Sequence, residues 1–156
     1  MRVSTKFPVA VHTMMIIAAL GETRKINSDV LSENIGVNAV IIRGIFKSLK
    51  QAKMISVSPG PGGTRLARNP DDITLWDIFS AVEQVEMEDV FAFHEHPTGH
   101  DLIGSNIYGL LKTHLTDGVA ALRKELSGIT IAMLVDELRE RMPELPPLSI
   151  QDQSKI

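Results

Sequence analysis

Cysteine is absent from the 156 residues. Disulfide bridges, thiolate metal ligation and thiol-based redox sensing are therefore excluded for this chain. Long apolar runs are missing too. A membrane span needs about 18 or more consecutive apolar residues. The most apolar stretch, residues 9–20, is shorter than that and contains His12 and Thr13. Arg2 and Lys6 precede it as they would in a secretory leader, but Gly21-Glu22-Thr23-Arg24 offers no small-residue cleavage site. The stretch reads as a core helix, and a cytoplasmic location is expected. The chain shows no internal repeat, and no nucleophile–base pair, phosphate loop or carboxylate dyad stands out, so no catalytic role is expected.

What is present is divided by charge. Residues 1–70 carry ten Lys/Arg against three acids, and residues 71–156 carry six against sixteen, so the net charge of −3 conceals a cationic front half and an acidic rear half. A cationic surface concentrates near phosphate and releases counterions on contact. An acidic surface is repelled by nucleic acid and is expected to face away from it.

The order of elements agrees with that division. Ser4 is placed to cap a helix from about Thr5 to Leu20, with Gly21 as its stop. This helix is apolar nearly all round, which predicts burial on several sides. Asn27 or Ser28 caps a short helix to about Asn34, with Asp29 favourable in its first turn. Ile35-Gly36-Val37 is a turn, and Asn38 caps a helix to about Ala52. The expected inward face of that helix is Val40 or Ile41, then Ile45, Leu49 and Ala52, which leaves Arg43, Lys47, Lys50 and Lys53 outside. Met54–Ser58 and Thr64–Ala67 read as paired strands across Pro59-Gly60-Pro61-Gly62-Gly63, a loop that cannot be helical. Thr74 caps a helix through Trp76, Ile78, Phe79 and Val82, with Trp76 expected in the core. An acidic irregular stretch follows.

This order is a helix-turn-helix followed by a wing. It offers a helix and a hairpin to a DNA duplex together. The candidate DNA-binding residues are Lys6, Asn38, Ala39, Val40, Arg43, Lys47, Gly60, Gly62, Gly63 and Arg65. Residues near the start of the second helix reach base edges, while Lys and Arg farther along meet phosphate. Asn pairs with adenine and Arg with guanine, although Asn38 also reads as a simple cap and Arg43 as a solvated charge. Wing glycines let the loop lie against a narrow groove; the plainer alternative is a hairpin turn with no ligand. Gly44 is a costly residue inside a helix; close approach of another backbone would explain it.

From about Leu102 to Leu126, apolar residues recur along one stripe: Ile103, Ile107, Leu111, Leu115, Val119, Leu122 and Leu126, widened by Leu110 and Ala121. So long a face exceeds what a chain of this size can cover. A second copy would cover it, giving a homodimer with Ile107, Leu111, Leu115, Val119 and Leu122 at the contact. Thr130 caps a last short helix to Arg141, and the Pro-rich tail is expected to be disordered. The expected organisation is a DNA-binding domain over 1–82, an acidic linker with dimerisation helices over 83–141, and a tail over 142–156. The fold class is mainly α, with a small β wing and a long C-terminal dimerisation helix.

Several segments carry a resemblance. They are Met1-Arg2-Val3-Ser4-Thr5-Lys6, Leu49-Lys50-Gln51-Ala52-Lys53-Met54-Ile55, Gly60-Pro61-Gly62-Gly63, Leu66-Ala67-Arg68-Asn69-Pro70, and Ile73-Thr74-Leu75-Trp76-Asp77-Ile78 with Ala81-Val82-Glu83. Together they resemble the Rrf2 family of winged-helix transcription regulators, the kin of IscR, NsrR and CymR, to about Leu138. The resemblance implies a dimer that binds double-stranded DNA at palindromic operators, usually as a repressor. Many relatives hold an iron–sulfur cluster on three cysteines before the long helix. The corresponding region here, residues 93–104, has none, so the chain resembles a cluster-free branch and no cofactor is expected. Relatives also carry Arg before the wing glycines, where this chain has Pro59, so the wing's cation is expected from Arg65.

His94, His96 and His100 form an H-x-H-x-x-x-H pattern beside Asp101. Imidazoles with a carboxylate suit a divalent metal such as zinc. The alternative function is therefore a metal sensor or metal-dependent enzyme built on these histidines; the plainer reading is a solvated histidine-rich loop. The effector, operator and regulated genes are not legible in the sequence.

Overall fold

The first helix organises the molecule because almost every residue along it is apolar. The computed structural model describes residues 4–60, 62–83 and 103–144. The elements run α1 (Lys6–Leu20), α2 (Ser28–Ile35), α3 (Ala39–Gln51), β1 (Ile55–Ser58), β2 (Gly63–Leu66), a single 3-10 turn at Pro70–Asp72, α4 (Leu75–Glu83), α5 (Gly104–Ser127) and α6 (Ile131–Arg141). Ala10, Met14, Ile17, Ala18 and Ala19 of α1 are buried, and Phe7, Val9, Val11, Met15, Ile16 and Leu20 pack against the same core. Burial on several sides follows from its largely apolar circumference: α1 touches α2, α3, α4, α6 and β2, while Lys6, Pro8 and His12 stay exposed. Ser4 does not cap it in the expected way. Thr5 holds the cap position, while the Ser4 hydroxyl accepts from the Lys6 N–H (3.1 Å) and donates to Glu83 Oε1 (2.7 Å). The start of α1 is thereby tied to the end of α4.

Local chemistry fixes most of the other boundaries. Asn27, not Ser28, caps α2: its Oδ1 accepts from the Asp29 and Val30 N–H groups at 3.0 and 2.9 Å. Gly36 then ends α2 in the left-handed region (φ 75°), where a residue without Cβ is favoured. Helix α3 ends in a Schellman arrangement. The Met54 N–H bonds to Leu49 O and the Lys53 N–H to Lys50 O, both at 3.0 Å, with Lys53 itself left-handed (φ 56°). Thr74 and Asp77 close a capping box at the start of α4: the Asp77 N–H donates to Thr74 Oγ1 (3.1 Å) and the Thr74 N–H to Asp77 Oδ2 (3.0 Å). Thr130 caps α6 through the Met133 N–H.

The two strands form one antiparallel hairpin with Ile55 opposite Leu66 and Ser58 opposite Gly63. Trp76 and Phe79 of α4 lie 5.4 Å apart, Phe79 meets Phe7 edge-on at 5.5 Å, and the Arg123 guanidinium of α5 sits over the Trp76 ring at 5.7 Å. Trp76 is half-buried and bridges α4 to α5.

Helix α6 departs from the expected grouping with the rear arm. Its Ile131 and Val135 belong to the same buried cluster as α1 and α3. The Leu75 N–H bonds to Ile129 O and the Ile131 N–H to Ile73 O, both at 2.9 Å, joining the start of α6 to the start of α4. A division at residue 82 therefore cuts through one shared core. The reason is long-range: Ile131, Ala132 and Val135 form a short apolar face, and sequence alone does not say which surface receives it. One core group lacks a partner. Thr13 Oγ1 is fully buried without a hydrogen bond among the described residues.

Candidate nucleic-acid interface

Helix α2, the Gly36 turn and α3 set the reading head. The inward face of α3 is Ile42, Ile45 and Leu49, all buried. Val40 or Ile41 was expected to begin that face. Instead Val40 is 66% exposed and Ile41 45% exposed. At about 100° per residue, Ile42 shares the side of Ile45 and Leu49, while Val40 lies opposite. Four consecutive apolar residues cannot all face inward, and the register is settled by what α1, α2 and α4 offer as a surface. The outward arc carries Val40, Arg43, Gly44, Lys47 and Gln51, all exposed, with Lys50 beside them.

The individual candidates then separate. Asn38 is exposed, but its Oδ1 accepts from the Val40 N–H at 2.8 Å, which holds the amide as the cap of α3. Ala39 is half-buried behind it. Arg43 leans toward α2, with Nε 3.4 Å from Ser28 Oγ and a guanidinium nitrogen 3.7 Å from Asp29 Oδ1. Both side chains of that ion pair are mostly exposed, so it is weak and exchangeable. Lys47 is exposed on α3, and Lys6 is exposed on the first turn of α1. Gly44 is exposed, and a Cβ there would meet nothing within 4 Å. Close approach of another element of this chain, the sequence-level explanation for this glycine, is thus absent among the described residues.

The wing residues divide in a way the sequence did not foretell. Gly60 is exposed at the tip with positive φ. Gly62 is half-buried, and a Cβ there would collide with Ser58 Cβ at 2.5 Å. Gly63 is buried and left-handed (φ 70°), and a Cβ would press on Ile26 O at 3.1 Å. Its role is internal. Next to it, the Thr64 N–H donates to Ile26 O at 2.8 Å. Arg65, expected to supply the wing's charge, is directed elsewhere. Its guanidinium donates to Gly21 O (2.9 Å) and pairs with Glu22 (2.6 Å). Arg65 thus anchors the hairpin to the end of α1. Spacing gave no signal for this, because Glu22 and Arg65 are 43 positions apart.

Helix α5 spans 24 residues, about 36 Å at 1.5 Å per residue. Its expected contact stripe is not uniform. Val119 is only 5% exposed and is covered within this subunit, where α5 packs on α4. Ile107, Leu115 and Leu122 are half-buried, and Leu111 is exposed, as are Ile103 and Leu110. The open apolar surface therefore lies on the first half of α5. No described helix is long and apolar enough to cross a membrane. His94, His96 and His100 lie outside the described residues, as do most of the acidic stretch and the tail from residue 145.

Comparison with known proteins agrees with this arrangement. Residues 3–137 match the family model described as "Rrf2: Iron-dependent Transcriptional regulator". A Bacillus subtilis protein named as an HTH-type transcriptional regulator, YwnA, is 25% identical over 136 residues, covering 87% of this chain and 98% of its own length. Among solved structures, a transcriptional-regulator structure from Lactobacillus plantarum superposes with a TM-score of 0.68 at 23% identity, covering 89% of this chain and 98% of that one. CymR, titled the global cysteine regulator of B. subtilis, gives a TM-score of 0.66 at 17% identity, covering 88% and 98%. These structural likenesses show the fold: a mainly helical winged helix-turn-helix. A cysteine-ligated iron–sulfur cluster does not fit this chain, because it has no thiol to offer. One family model thus accounts for residues 3–137 of the 156, and the solved neighbours share the fold over most of their own length; the chain belongs to the Rrf2 family of transcriptional regulators.

Proposed function

We propose that this regulator acts as a homodimer that binds a palindromic operator in double-stranded DNA and represses transcription there, without catalytic activity and without a resident cofactor. The observation that carries the reading is the outward arc of α3, where Val40, Arg43, Gly44 and Lys47 are exposed together on a helix whose opposite side is buried. The cationic front half, which includes α3, supports phosphate contact. The uncovered apolar residues Leu110 and Leu111 of α5, with Ile103 just before it, support a second subunit. A two-fold axis would then present two copies of α3 to successive major grooves, about 34 Å apart. Such a protein works where it can reach its operator, which places it in the cytoplasm. Fluorescence anisotropy against the DNA upstream of its own gene tests the reading. Binding is expected to prefer one site and to weaken steeply with salt. Arg43→Glu is expected to abolish it while light scattering still reports a dimer. Equal affinity for every duplex of the same length overturns sequence-specific regulation.

A further inference from the structure

We propose that this protein reads its operator mainly through the 5-methyl groups of thymine, which Val40, flanked by Ile41, meets in the major groove. The inference rests on the DNA-binding reading above and names what that surface recognises.

The argument begins with the side chains able to reach base edges from the first turns of α3. Asn38 has the chemistry to pair with adenine, but its Oδ1 accepts from the Val40 N–H at 2.8 Å. That bond ties the amide to the helix start, while the oxygen's second lone pair and the amide N–H groups stay available for a polar contact beside the apolar one. Ala39 has no polar group. Arg43 is drawn sideways to Ser28 and Asp29 on α2, and its long side chain suits the phosphate at the groove edge as well as a base. At the leading tip remain Val40, 66% exposed, and Ile41, 45% exposed. Both are β-branched and stiff at χ1, so each presents its methyls in a fixed direction. In the major groove the one apolar feature that distinguishes a base pair is the thymine methyl.

Gly44 adds a second, independent feature. It lies one turn beyond Val40 on the same outward line, and beyond its own stretch of helix no described residue stands within 4 Å of where its Cβ would be. The surface of α3 is therefore low between Val40 and Lys47, which lets the helix axis settle closer to the groove floor. Lys47 and Lys50, exposed farther along, are placed to hold phosphates on the groove's rim. Charge complementarity thus commits this apolar tip to nucleic acid as its occupant: Arg43, Lys47 and Lys50 are exposed on the same helix.

The test begins with duplexes selected by the wild-type protein from a random library. The preferred duplex is then resynthesised with deoxyuridine replacing thymine, one position at a time, and affinity is measured by anisotropy. Deoxyuridine keeps every hydrogen-bonding group and removes only the methyl. One or two positions per half-site are expected to lose affinity roughly fourfold each, the worth of about one buried methyl group. Val40→Ala, at an exposed helical site where alanine is well tolerated, is expected to bind the thymine duplex more weakly and to be indifferent to deoxyuridine at one of those positions. Selective binding that ignores deoxyuridine everywhere overturns methyl reading and leaves DNA recognition standing. Equal deoxyuridine sensitivity in wild type and Val40→Ala reassigns the methyl contact away from Val40 and also overturns it. No selected duplex at all overturns the DNA-binding reading itself. If Val40→Ala changes the oligomeric mass in light scattering, the apolar tip belongs to a protein contact and the proposal fails.

Discussion

Replacing Gly44 by alanine should make the protein more stable and a worse DNA binder. Gly44 sits inside α3, where glycine costs about 0.8–1.0 kcal/mol relative to alanine because it surrenders more backbone freedom on folding. Two observations make this site free of offsetting terms: its φ is not positive, and a Cβ would meet nothing within 4 Å. The full propensity difference should therefore appear. For a chain of this size about 1 kcal/mol corresponds to a rise in Tm of about 2–4 °C. The same methyl would stand on the outward line between Val40 and Lys47, where α3 is proposed to meet the groove. Holding the helix away by even part of a methyl radius weakens every base contact of that turn; with such contacts worth about 1–3 kcal/mol each, affinity should fall about tenfold or more. Differential scanning calorimetry and anisotropy on the same preparation read the two effects separately. A stabilised protein with undiminished affinity would show that this arc of α3 is not the surface that meets DNA. A destabilised protein would show that the site is not free of contacts, and the helix-propensity argument would fail.

Three further outcomes follow from other parts of the molecule. Thr13→Val removes a buried hydroxyl that lacks a hydrogen-bond partner while keeping its shape, and should stabilise the fold by about 1 kcal/mol, read as a higher urea midpoint; a lower midpoint would mean the hydroxyl is satisfied. Lys47→Gln should flatten the dependence of log affinity on log salt by about 0.9 per bound subunit, with little change in which sequences are preferred, and an unchanged slope would remove Lys47 from the phosphate contacts. Leu111→Glu places like charges on the open half of α5 and should shift the mass in light scattering toward a single subunit; an unaltered mass would move the subunit contact elsewhere.

Much of the architecture was written locally. Asn38, Thr74 and Thr130 each cap the helix that sequence assigned to them, and Asn27 is the one of the two offered, Asn27 or Ser28, that caps α2, because a side-chain oxygen satisfies N–H groups only two or three residues ahead. The hairpin could be read from the Pro/Gly loop for the same reason. The register of α3 was less accessible. Val40, Ile41 and Ile42 are equally apolar, and only the neighbours on one side of the helix decide that Ile42 goes in and Val40 comes out. Arg65 and Gly63 were read as wing residues that face DNA, yet both serve to root the hairpin on the α1–α2 connection. Their partners, Glu22, Gly21 and Ile26, are remote in sequence and give no periodic signal.

The sequence by itself determined the helices, most of their caps, the wing, the division of charge and the exclusion of thiol chemistry, since all of these depend on residue type or on neighbours within one turn. Only the tertiary structure decided which apolar residues of α3 are surplus to the core, that α6 belongs to the same core as α1, and that Val119 of α5 is covered within the subunit while Leu110 and Leu111 are open. Those outcomes depend on which surfaces lie opposite one another. Hydrophobic burial is not directional, so an apolar residue records that it will be covered and leaves the identity of its cover to the fold.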